Sequence, residues 1–275
     1  MTLRTLILAA ALASAPPTRG IADDHAAPAP EFATRRPAVR SGEPVFAFNG
    51  RDLTGFYPYT KPHGYADPAQ VFSVRDGLLR ISGEEYGGLA TGGSFGDYQL
   101  IAEWRWGEAT WGDRKTKARD SGILLHGSGP DGAAGGSWLE SIECQVIEGG
   151  TGDFILVGGR TRPRLTCTAR REGGGLYYDE GSPPVAADRG RFNWWGRDPA
   201  WADRLGFRGR RDVERPAGEW NRMEVICAGS TITVLLNGSV VNVGTAASPA
   251  EGKIQFQSEG AEIFFRKIEV RPLLR

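Results

Sequence analysis

Residues 140–154, ESIECQVIEGGTGDF, place three glutamates within nine positions of an otherwise apolar run, which then breaks into glycine. Carboxyl groups this close together suit general acid–base work or the paired-carboxyl chemistry of glycosidic bonds. Side chains alternate across a strand, so Ile142, Cys144 and Val146 share one face while Ser141, Glu143 and Gln145 share the other. Glu140 stands at the strand entry, and Glu148 reaches the face of Glu143 only if the strand ends or bulges at the glycines that follow. The three acids are therefore not one row. Glu143 and Gln145 form the candidate pair, a carboxyl beside an amide able to bind hydroxyls.

Other groups with usable chemistry flank this pair. DSGILLHG carries His126, one of three histidines, to a strand end, where a pKa near neutrality suits proton transfer. Parity sets Asp120, Gly122, Leu124 and His126 against Ser121, Ile123 and Leu125. The preceding RKTKARD, residues 114–120, supplies Arg114, Lys115, Lys117 and Arg119, cations that can stabilise a developing oxyanion. KIQFQSEG aligns Gln255, Gln257 and Glu259 on one face. Of eight tryptophans, Trp111, Trp138 and the pair Trp194–Trp195 lie in glycine-rich stretches, where indole faces suit the CH faces of sugars. Trp104 and Trp106 sit within a strand and read as core.

Strands must position these groups, and the chain is punctuated accordingly. VFSV–RDG–LLRIS, YQLIAEWRW, NRMEVICAG, TITVLLNGSVVNVG and IFFRKIEVRPL are short β-branched or aromatic runs between Gly, Asn and Asp turns, the pattern of an antiparallel sandwich or jelly roll. Asn237-Gly238 between apolar runs predicts a type I′ hairpin. Residues 158–217, rich in Arg, Gly, Pro and Trp, lack sustained alternation and read as a loop-rich insertion, either a cover over a site or a decoration. Residues 1–22 have the form of a cleaved secretory signal: Arg4, an apolar run from Leu6 to Ala13, and small residues at Gly20 and Ala22. That run is too short to span a membrane, and the mature chain is expected in the periplasm or outside the cell. Residues 23–43 read as a flexible leader and 44–275 as a single domain. Basic and acidic residues balance at 33 each, so no net field favours nucleic acid or an anionic membrane, and a neutral polar ligand fits better. Three cysteines allow at most one disulfide, and their spacing matches no metal motif.

FNGRDLTGFYPY, RDSGILLHG, ESIECQVIEGGTGD, GEWNRMEVICAGSTITVLLNGSVVNV and GKIQFQSEGAEIFFRKIEVRPL, in this order over residues 44–273, resemble the 3-keto-disaccharide hydrolase domain family. The resemblance implies an all-β, concanavalin-like jelly-roll β-sandwich of two antiparallel sheets, and action on glycosides whose sugar carries a ketone at C3. Where members often carry a histidine in the segment matching FQSEG, this chain has Glu259. A C3 ketone acidifies the C2 hydrogen, so a base can remove it and the resulting enolate expels the C1 substituent, after which water can add. The resemblance thus implies a base, Glu143 or His126; a cation near the enolate, Arg119 or Lys117; and sugar contacts from Gln145, Gln257, Trp138 and Trp111. A divalent metal held by His126, Glu143 or Glu148 would serve the leaving group, though nothing in the spacing demands one. Two other readings stand beside this one. Glu143 and Glu148 loosely copy the bulged spacing of a retaining glycosidase with Gln145 in the middle acidic place, and exposed tryptophans with amide-lined strands would suffice for a carbohydrate-binding module.

Overall fold

The computed structural model describes residues 36–274, so the expected signal segment 1–22 and the expected leader up to residue 35 lie outside the described residues. Two sheets face each other, and every ladder between their named strands is antiparallel. The larger, twelve-stranded sheet is built on Tyr98–Thr110, flanked by Asn221–Ala228 and Ala261–Leu274, and continues through Thr231–Leu236, Ser239–Ser248 and Arg164–Glu172. The seven-stranded sheet runs in the order Gly190–Phe192, Phe154–Val157, Glu140–Ile147, Asp120–Ser128, Lys253–Ser258, Gly87–Thr91 and Phe56–Thr60. This is the all-β jelly-roll sandwich that the strand pattern predicts.

Between the sheets lies one apolar core. Ile123, Leu125, Ile142, Cys144, Val146 and Phe256 from the smaller sheet meet Trp104, Trp106, Met223, Val225 and Phe265 from the larger. Phe256 packs edge-on against Phe265 with ring centroids 5.2 Å apart. Asn237 and Gly238 both take positive φ, +49° and +89°, as the type I′ turn requires, and join Thr231–Leu236 to Ser239–Ser248.

The 158–217 segment is less irregular than its composition suggests. Arg164–Glu172, Gly175–Tyr178 and Pro184–Ala187 extend the larger sheet, Gly190–Phe192 closes an edge of the smaller one, and 193–217 follows with no strand. Alternation was present in RLTCTARRE, where Leu165, Cys167 and Ala169 are buried, but small residues carry it faintly. Trp194 and Trp195 are buried core residues stacked edge to face, not a binding surface, and Trp195 Nε1 donates to the Val240 carbonyl at 2.9 Å. Within 23–43, Arg40–Ser41 pairs with the end of Ala261–Leu274. All three cysteines are buried and unpaired. Among the described residues no helix is long and apolar enough to cross a membrane.

Candidate active site

Strand register assembles the site. Tyr57, Ala90, Gln255, Leu124, Glu143, Ile155 and Arg191 stand opposite one another across all seven strands and form one transverse row on the face turned away from the core. The neighbouring row contains Tyr59, Gly88 and Gln257, and also the pair Gly122 and Gln145. Parity therefore places Glu143, Gln145 and Gln257 together, backed by Ile142, Cys144 and Phe256 in the core.

The loop between Asp120–Ser128 and Glu140–Ile147 folds back over this face. Its Trp138 Nε1 donates to the Gly87 carbonyl at 3.0 Å, and the Leu139 N–H donates to Gln255 Oε1 at 3.0 Å. A cavity of about 420 Å³ remains, lined by Asp120, Trp138, Glu143, Gln145, Arg191, Gln257 and Glu259 among others. Gly122 makes room at its floor, because a Cβ there would occupy the space of Glu143 Oε1 and Gln257 Oε1.

Three carboxyls share this cavity with the Arg191 guanidinium, and a second guanidinium, that of Arg114, pairs with two of them. Arg114 contacts Asp120 closely, reaches Asp203 at 3.2 Å and stands 3.8 Å from Glu259. Arg191 bonds Asp153 at 2.9 Å. Burial pushes Asp120 up to about 7, against the pull of Arg114 and Arg191. Burial, reinforced by the charges of Glu259 and Asp120, holds Glu143 well above the usual carboxylate range. Burial and Asp120 do the same for Glu259. The trio therefore retains protons at neutral pH while Asp120 stands close to half-ionised, and the protons belong to the group as a whole. Asp120 Oδ1, Glu143 Oε1 and Gln257 Oε1 are buried without a hydrogen-bond partner among the described residues, so their bonding capacity is left for a ligand.

Of the residues singled out from the sequence, the structure brings Glu143, Gln145, Trp138 and Gln257 together. It places His126, Glu148, Arg119, Lys117 and Trp111 elsewhere. His126 lies where the strand bulges: register shifts between Leu125 and Ser128, and His126 takes φ +56°. The bulge breaks the parity that put it with Asp120, and its ring is buried edge-on to Tyr98 with Nδ1 2.9 Å from the Pro249 carbonyl. Burial lowers its pKa, so it is neutral at pH 7 and lies away from the cavity. Glu148 does not join Glu143, because the strand ends at Ile147. Its carboxylate takes Arg119 Nη1 at 2.7 Å and the N–H groups of Arg119 and Gly206, so Glu148 and Arg119 form a latch between turns. The glycosidase-like pair Glu143–Glu148 is absent for the same reason. Lys117 is a half-exposed partner of Asp113. Trp111 braces the chain beside Glu259, its Nε1 donating to the Ser82 carbonyl and its N–H to the Gly260 carbonyl. His126, Glu143 and Glu148 do not converge on a common point, and among the described residues no group of three or more His, Cys, Asp or Glu is arranged to hold a metal ion.

Parity had grouped Asp120 with Gly122 without giving it a role, and Glu259 with the glutamines as one row of polar groups. Arg191 gave no signal, since it sits in a three-residue strand within an arginine-rich stretch.

A family model described as the 3-keto-alpha-glucoside-1,2-lyase-like domain matches residues 43–271. No curated protein matches the chain. Among solved structures, a candidate glycosyl hydrolase of Parabacteroides distasonis is 18% identical over 82% of this chain and 92% of that one, with a TM-score of 0.49. A galectin-like-fold protein of Bacillus subtilis is 13% identical over 86% and 99%, with a TM-score of 0.47. A carbohydrate-binding module of the same organism is 10% identical over 79% and 96%, with a TM-score of 0.42. Likenesses this distant leave the chemistry to be argued from the cavity itself.

Proposed function

For a chain that belongs to the 3-keto-alpha-glucoside-1,2-lyase-like domain family, we propose cleavage of 3-keto glycosides by proton abstraction at C2 and elimination of the C1 substituent. The observation that carries this reading is the buried carboxyl trio, which at neutral pH combines a near-half-ionised acid with protonated ones around unpartnered oxygens. Elimination needs both states at once, a base for C2–H and an acid for the departing oxygen.

Asp120 is the base, because its pKa of about 7 balances availability against strength near neutrality. Glu143, protonated at rest, is the acid. This assignment departs from the sequence reading, which gave the base's role to Glu143 or His126. The pair of electrons from C2–H forms the C2=C3 bond of an enolate. Its collapse restores the C3 carbonyl, makes C1=C2 and breaks C1–O, and the leaving oxygen takes the Glu143 proton. The products are a 2-hydroxyglycal bearing the C3 ketone and the free aglycone, and hydration of the alkene would complete hydrolysis. Gln145 and Gln257 offer amides to sugar hydroxyls, and Trp138 offers its indole to the ring face.

The test uses 4-nitrophenyl and methyl 3-keto-α-glucosides, following aglycone release and the absorbance of the conjugated product. Asp120→Asn should abolish turnover of both. Glu143→Gln should cost roughly 10²–10⁴-fold with the methyl aglycone and far less with nitrophenolate, which leaves without an acid. The wild-type kcat should rise through about pH 7 as Asp120 ionises and fall at higher pH as Glu143 loses its proton. Glycan binding without turnover of either keto sugar would replace this reading with that of a non-catalytic carbohydrate-binding protein.

A further inference from the structure

Removing a proton from C2 puts negative charge on the C3 oxygen, and that charge needs a cation aimed at it. Arg114 is already committed, to Asp120, to Asp203 and to the Ala118 carbonyl. Arg191 is not. It closes the transverse row beyond Ile155 and lines the cavity, and Asp153 is its one hydrogen-bond partner among the described residues, through Nη1. A guanidinium carries five N–H donors, so most of the fork remains available to a ligand.

The way Arg191 is held is as specific as its position. Asp153 is fully buried. Its Oδ1 accepts the Trp194 N–H at 2.7 Å, and its Oδ2 receives both Arg191 and Arg197. Arg197 is clamped in turn over the Trp201 ring, 4.3 Å from its centroid. The Asp153 carbonyl accepts the Gln145 N–H at 2.9 Å, which ties this anion to the strand that carries Glu143. Arg197 therefore balances much of the Asp153 charge, and Arg191 is gripped by one corner with its fork toward the cavity.

We propose that Arg191 binds the C3 oxygen of the keto sugar and takes up the charge of the enolate, and that Asp153 is the positioning residue that aims it. This rests on the elimination chemistry argued above. The sequence reading gave the same task to Arg119 or Lys117, which lie outside the cavity. The charged groups around Arg191 are Asp153 and Arg197 behind it, and the three carboxyls of the cavity before it. Its charge pulls down the pKa of Asp120, Glu143 and Glu259 alike.

The experiment compares wild type, Arg191→Gln, Arg191→Ala and Asp153→Asn on 4-nitrophenyl 3-keto-α-glucoside, with folding checked by circular dichroism. Arg191→Gln should lower kcat roughly 10²–10³-fold with a much smaller change in KM. It should also move the rising limb of the pH profile upward. Millimolar guanidinium should restore part of the Arg191→Ala rate and leave wild type unaffected, a response that a purely structural arginine would not give. Asp153→Asn should lower kcat in the same direction. Arg191 is one-third exposed on an edge strand, so its variants keep the test open if Asp153→Asn does not fold. An active wild type with unchanged kcat in Arg191→Gln, or a loss confined to KM, overturns this inference alone. A wild type inactive on the keto sugar overturns the elimination reading and this inference with it.

Discussion

Gly122 sets the depth of the cavity, because its missing side chain is the space in which Glu143 Oε1 and Gln257 Oε1 approach each other. Gly122→Ala should lower stability by about 1–3 kcal/mol through overpacking and kcat/KM by roughly 10²-fold through displaced acid and amide groups. Urea titration and turnover of the keto glycoside measure the two effects separately, and unchanged turnover in the folded variant would make Gly122 a packing position only. At this scale parity told much of the story. It put Glu143 on one face with Gln145, and Gln257 on one face with Gln255, because each strand runs without interruption through those positions. It misplaced His126 because a single bulge moves a side chain off its expected face. It was silent on Arg191, whose importance comes from Asp153, distant in sequence and adjacent in space.

The segment after the Gly190–Phe192 strand shows what an irregular element contributes. Residues 193–217 are fastened to the sandwich through buried polar groups: Glu214 accepts Trp106 Nε1 at 2.8 Å and the Thr151 hydroxyl at 2.8 Å, and Glu148 accepts the Gly206 N–H. Burial, helped by the charge of Asp212, pushes Glu214 up to about 8 from an ordinary value of 4.5. Between these two values the folded protein holds a proton that the unfolded chain has released, so this group lowers stability as pH rises through that window. Glu214→Gln should flatten the fall of Tm between about pH 5 and pH 8 relative to wild type, as thermal scans across that range would read out. An unaltered slope would mean that Glu214 is ionised when buried. Such anchors were not legible in the sequence, where 158–217 carried only a turn-rich composition. The strand Arg164–Glu172 was hidden for a different reason, since its inward positions are filled by Leu165, Cys167 and Ala169, and only one of these is large.

At the scale of the whole molecule, the jelly roll followed from punctuation and alternation, and the Asn237–Gly238 hairpin from two residues alone. Sheet order and register did not, because they depend on pairings between strands far apart in the chain, such as Tyr98–Thr110 with Ala261–Leu274. The three thiols report on that assembly. Cys144 and Cys167 are held well above the usual thiol range by burial, and burial pushes Cys227 up to about 12. All three should resist a thiol reagent in the folded protein and react together as denaturant unfolds it; a fast-reacting fraction under native conditions would show local opening. The transverse row from Tyr57 to Arg191 draws on segments that begin near residue 57 and end near residue 255, each contributing one position. The cavity is in that sense a checksum of the fold: a slip by one residue in any ladder along the row would turn the affected polar groups inward, so no partly paired sheet presents a half-working version of it.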